Sequence, residues 1–151
     1  QYKAASKKNQ SRVIYCFDCD NFDTNAEDEN FLKNAKQYCE ENGYGCFVTN
    51  PCFEFWLLLH LCDVKGEYPQ EQLDAFRANP KISSHHTVVS REVSIRAHHG
   101  KHIGSTQFEK YYFPHIPDAL AHVGQFKTSY PDLLDYLGSN LPQLFSVLEI
   151  E

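Results

Sequence analysis

The sequence predicts an α/β fold built on a strand–helix–strand unit, and three observations carry that expectation. RVIYCFD (12–18) is a continuous β-branched and aromatic run, the mark of a strand buried on both faces of a parallel sheet. DTNAEDENFLKNAKQYCEENG (23–43) reads as loop then helix, with Phe31, Leu32, Ala35, Tyr38 and Cys39 on one stripe, acidic residues in its first turn and Gly43 placed to end it. GCFVTN (45–50) follows as a second short buried strand, so the crossover between the two is expected to be right-handed.

NPCFEFWLLLHLC (50–62) comes next, with Asn50 as the expected N-cap and Pro51 at the first helical position, where its missing N–H costs nothing. Its apolar residues point all around the axis, which predicts a helix packed on several sides. At about a dozen residues it is too short to span a bilayer. PQEQLDAFRAN (69–79) is a further short helix that ends before Pro80. The stretch from 81 to 115 is less regular, and HTVVSREVSIRAHHGKH (86–102) holds a strand-like run. Three helical pieces close the chain: IPDALAHVGQF (116–126), YPDLLDYLG (130–138) and LPQLFSVLE from Pro142 onward. Residues 1–11 are polar and read as a tail, and 12–151 as one domain with its core in 12–63 and a helical portion over 103–151.

Composition bounds the function. With 151 residues, 42% of them hydrophobic and 23% charged, the chain has the material for one packed core. A net charge of −6 and a pI near 5.7 argue against a surface that holds nucleic acid non-specifically through phosphate neutralisation. A carboxylate site filled with divalent cations would reverse that charge locally. Six cysteines, no signal peptide and no membrane-length apolar run suit reduced thiols in a cytoplasmic protein.

The segment YCFDCDNFD (15–23) can be read as half of a zinc site or as a paired-carboxylate site. Cys16 and Cys19 have the C-x-x-C spacing, but no second pair matches them and Cys16 sits inside a strand, so inert thiols are expected; zinc held by cysteines and histidines stays as a rival. Asp18 and Asp20 stand where the first strand ends, the edge at which open α/β sheets bind ligands. Residues two apart on an extended chain point the same way, so both carboxylates can face one hard cation at about 2.1 Å. Aspartates also favour strand ends simply as turn formers. Glu54, in the first turn of an otherwise apolar helix, needs a partner if buried, and parallel strands can bring it to the same edge. His60 is about 120° around that helix from Glu54 and is expected first as a hydrogen-bonded histidine at the helix end, with a base or ligand role as the alternative. His85, His86, His98, His99 and His102 with Arg91, Arg96 and Lys101 form the locally basic stretch, either a phosphate contact or an exposed loop.

Phe17, Asp18, Asp20 and Asp23, followed by Asn50 through His60 (NPCFEFWLLLH), resemble the RloB-like family, whose domain looks like a divergent TOPRIM fold of bacterial anti-phage and abortive-infection loci. The resemblance is strong over about residues 12–63. It implies a parallel-sheet core, Mg²⁺ or Mn²⁺ at Asp18 and Asp20, nuclease chemistry on DNA or RNA, and an ATPase partner. TOPRIM-like domains also carry a glutamate at the end of an earlier strand, and QYKAASKKNQS cannot be that strand. With Gln1 first and no methionine, the chain is expected either to be a fragment lacking it or to have an incomplete site. The sequence therefore predicts a metal-dependent nuclease in which Asp18, Asp20 and Glu54 hold metal, Glu54 and His60 serve catalysis, and Lys101 assists. The alternative is a non-catalytic module that partners an ATPase.

Overall fold

The computed structural model describes residues 13–19 and 31–147. Three strands form a sheet in the order β1 (Ile14–Asp18), β2 (Gly45–Asn50), β3 (Gly138–Ser139). β1 and β2 are parallel, with Asp18 opposite Thr49, and β3 runs antiparallel to β2, with Ser139 opposite Thr49. The sheet is therefore mixed, not the all-parallel sheet expected from sequence. A Gly-Ser-Asn segment with no apolar run gives no signal of a strand, and Asn140 extends the pairing through its side chain. Its Oδ1 accepts from Val48 N at 2.7 Å and its Nδ2 donates to Cys46 O at 3.2 Å.

Helix α1 (Phe31–Asn42) connects β1 to β2 and ends where Gly43 takes φ +70°. The acidic residues expected in its first turn lie before Phe31, outside the described residues. Because side chains alternate across a strand, β2 serves two layers. Val48 packs with Leu32 of α1 and Leu133 on one face, while Phe47 joins the main core on the other. β1 departs from expectation: Val13, Ile14 and Tyr15 are 37–42% exposed, because β1 pairs with β2 on only one side among the described residues and its aromatics gather at the rim with Tyr38 and Tyr44.

Helix α2 (Phe53–Leu61) is the axis of the main core. Phe55 through His60 are all buried, which an apolar surface on every side of the helix requires. Full burial of Phe55, Leu58 and Leu59 contributes on the order of 1.5–3 kcal/mol each. The expected N-cap is corrected by two residues: Asn50 still belongs to β2, its side chain donating to Leu133 O at 2.8 Å, and the cap residue is Cys52.

Helices α3 (Val64–Glu67) and α4 (Gln70–Ala78) follow, and Asn79 closes α4 in the left-handed region at φ 44° while its Oδ1 accepts from Val89 N. Residues 88–97, expected to hold a strand, are helix α5 (Val88–Ala97). Thr87 and Ser90 form reciprocal caps at its start, and Val88, Val89, Val93 and Ala97 are buried. A longer helical stretch comprises α6 (Ser105–Gln107), a π turn (Phe108–Tyr112), a 3₁₀ turn (Phe113–His115) and α7 (Ile116–Val123), with Pro114 and Pro117 breaking the regular hydrogen-bond ladder. Helix α2 packs against both α5 and α7. The expected helix at 130–138 reduces to a 3₁₀ turn (Asp132–Leu134), and α8 (Pro142–Val147) starts at the expected proline. No helix of the described residues is long and apolar enough to cross a membrane.

Candidate functional site

The parallel pairing brings the ends of β1 and β2 to one edge, and the start of α2 is bound to that edge directly. Cys19 N donates to Pro51 O at 2.8 Å, extending the β1–β2 ladder past the last strand residues. Asp18 Oδ1 accepts from Phe53 N at 2.9 Å, which occupies one of the N–H groups a helix leaves open at its first turn. Glu54 is the next residue. Asp18 and Glu54 accordingly line one cavity of ≈ 480 Å³. Asp20, the second aspartate of the pair, lies outside the described residues, as does Asp23.

Much of the remaining lining comes from the stretch whose sequence is compatible with either a phosphate contact or an exposed loop. Lys81, His85, His86, His99 and Lys101 all line the cavity. The 81–87 turn is held by local bonds: Ile82 N and Ser83 N donate to His86 O, Ser83 Oγ accepts from His85 N and His86 N, and Lys81 pairs with Thr87 in an isolated bridge. His99 is anchored at both ring nitrogens. Nδ1 donates to Gly100 O at 2.7 Å, so Nε2 is the acceptor for the hydroxyl of the buried Tyr112. Arg96 turns away to Glu67 (2.8 Å) and the Tyr68 hydroxyl (3.1 Å). Lys81 was not singled out from sequence; it belongs to the cavity only because the turn at 83–86 folds it back beside Thr87.

His60 does not share this cavity. It sits near the end of α2, 6% exposed, with Nδ1 donating to Trp56 O at 2.9 Å and its ring edge-on to Trp56 and Tyr112. Burial holds its pKa below the usual histidine range. It opens instead on a second cavity, beside His115 and His122.

Hard divalent cations take carboxylate oxygens. Asp18 and Glu54 fit such an ion in donor type and in facing a common space. Among the described residues no group of three His, Cys, Asp or Glu side chains is gathered to hold a metal. None of the six cysteines forms a disulfide within the described residues: Cys16 is exposed, Cys19 and Cys46 are half-buried, and Cys39, Cys52 and Cys62 are buried.

Fold and cavity define an α/β protein whose short mixed sheet delivers two carboxylates to a pocket walled by lysine and histidine. The chain belongs to the RloB-like protein family, whose model matches residues 2–143. No curated protein and no solved structure matches it.

Proposed function

We propose that the protein is a Mg²⁺- or Mn²⁺-dependent nuclease on a divergent TOPRIM-like core, acting on DNA or RNA in bacterial defence. The observation that carries this reading is the meeting of Asp18 and Glu54 with Lys81, His85, His86 and Lys101 around one cavity. Carboxylates and cations around one cavity suit a phosphodiester, because its non-bridging oxygens need positive charge and its attacking water needs a base or a metal. Asp18 and Glu54, joined by Asp20 in the TOPRIM-like arrangement, would hold the ion. When bound, it supplies a water of lowered pKa and neutralises phosphate charge. Lys81 and Lys101 position the phosphates, and His86 stands as proton donor to the leaving oxygen. His60 takes no part, because it faces elsewhere. A defence setting and an ATPase partner are part of this proposal and rest on what the resemblance to the RloB-like family implies.

Calorimetry with Mn²⁺ and cleavage assays on single- and double-stranded DNA and RNA test this. Wild type is expected to bind Mn²⁺ and cleave, with both lost in Asp18→Ala and Glu54→Gln. Absence of metal binding in the wild type would overturn it.

The second reading is the non-catalytic module that partners an ATPase, favoured by the bond from Phe53 N to Asp18, which gives that carboxylate a helix-capping role without any metal.

A further inference from the structure

We propose that a third cavity, lined by α3, α4 and the segments 125–127 and 136–137, is a docking groove for single-stranded nucleic acid. It shares no lining residue with the acid cavity. It measures ≈ 360 Å³ and carries Lys65, Arg77 and Lys127 against a single carboxylate, Asp74, in a chain whose net charge is −6. Asp74 accepts from Gln70 Nε2 at 2.9 Å, and among the described residues none of the three cations makes an ion pair. Two of them lie over aromatic rings instead: Lys65 Nζ is 5.6 Å from the centre of the Phe126 ring, and Lys127 Nζ is 5.6 Å from that of Tyr136. A ring face attracts an ammonium without neutralising it, so these charges stay open to an anion. Arg77, in the last turn of α4, adds a planar guanidinium whose paired N–H groups match two phosphate oxygens.

The frame that carries these groups is fixed. Lys127 N donates to Leu137 O at 3.1 Å and Lys127 O accepts from Ser139 N at 3.0 Å, which ties the 125–127 segment to the one bearing Tyr136. Phe126 stands edge-on to the fully buried Phe55, with ring centres 5.2 Å apart. Tyr136, by contrast, is 53% exposed, which leaves aromatic surface on the lining for a base to stack on. Cations interleaved with an aromatic ring suit a single strand: successive phosphates need positive charge spread around a groove rather than focused on one point, and every base has a flat face. The exposed ring favours a strand over an acidic peptide, whose carboxylates would use the cations and leave Tyr136 idle. The groove holds a strand whether or not the acid cavity cleaves it.

The test is fluorescence anisotropy of labelled oligo(dT) and oligo(rU) of about a dozen nucleotides, in EDTA so that no divalent ion takes part, over a series of salt concentrations. The proteins are the full chain as wild type, Lys65→Gln, Arg77→Gln, Lys127→Gln, Tyr136→Ala and Tyr136→Phe, with Lys33→Gln, on α1 outside the groove, as the control for net charge. All the substituted side chains are exposed, so the variants fold, and a thermal melt of each checks this. The expected result is wild-type binding that weakens with salt, each groove cation removed taking about 0.7 from the slope of log affinity against log salt. Tyr136→Ala should weaken binding about fivefold or more at an unchanged slope, while Tyr136→Phe and Lys33→Gln stay close to wild type. A wild type that binds no strand, or binding that the three cation variants leave unchanged, overturns the groove. Displacement by polyglutamate with Tyr136→Ala unaffected would identify an acidic protein partner, and displacement by free dTMP at matching concentration a mononucleotide; either overturns the proposal. The absence of divalent metal separates this result from the nuclease reading, which stands or falls on Mn²⁺ and Asp18.

Discussion

The backbone N–H of Phe53 donates to Asp18 Oδ1 at 2.9 Å, so the carboxylate that closes the first strand also caps the central helix. Asp18 thus has two separable uses: an acceptor oxygen for the helix and a negative charge for a cation. Asp18→Asn keeps the first and removes the second. We expect Asp18→Asn to melt close to wild type while losing Mn²⁺ binding, and Asp18→Ala to lose binding and about 1 kcal/mol of stability as well. Paired thermal melts and calorimetry check both. Equal destabilisation by the two variants would show that the charge, not the acceptor, holds the helix.

A methyl group is expected to break the third strand. A Cβ at Gly138 would lie 1.8 Å from Lys127 O, a backbone atom that itself accepts from Ser139 N and so has no freedom to withdraw. Gly138→Ala should cost about 3 kcal/mol or more, in the range reserved for core overpacking and backbone conflict. Denaturant titration reads it directly, and the amide of Val48, bonded to Asn140 just beyond the strand, should lose hydrogen-exchange protection in the same variant. A variant as stable as wild type would mean the 127–138 contact is not formed in solution.

Alkaline pH should weaken the fold through two phenols. Burial raises the Tyr112 pKa above its usual value; burial also raises that of Tyr68, with Arg96 opposing and Glu92 assisting. A raised pKa means that the unfolded chain ionises before the native one, so the contribution is intact below about pH 10 and is lost progressively as the pH climbs above it. Melting temperature against pH is the measurement. Tyr68→Phe should flatten the decline, and a decline of equal steepness in that variant would count against Tyr68 as its source.

Much of this architecture was legible because its signals were local. The strand–helix–strand unit, the glycine after α1, the all-round apolar surface of α2 and the proline that opens α8 are each written in a few neighbouring residues. What was missed depended on partners distant in sequence. Thr87–Val88–Val89 is β-branched and suggested a strand, yet burial of Val89 and Val93 among the main-core residues that include α2 makes it a helix. Asn50 looked like a cap, but its amide is claimed by Leu133, 83 residues away. Asp18 and Glu54 could be foreseen at one edge because parallel strands dictate it. Lys81 in their cavity could not, and neither could His115 and His122 beside His60, because His122 reaches Leu59 across 63 residues and no motif spans that gap.

Helix α2 begins beside one cavity and ends beside the other, with Glu54 and His60 separated by six residues and so by about 9 Å along the axis. Between them the rod is sheathed in buried side chains and has little room to bend. A displacement of Glu54 along the axis would therefore carry His60 with it, and a disturbance at either tip of the rod is felt at the other.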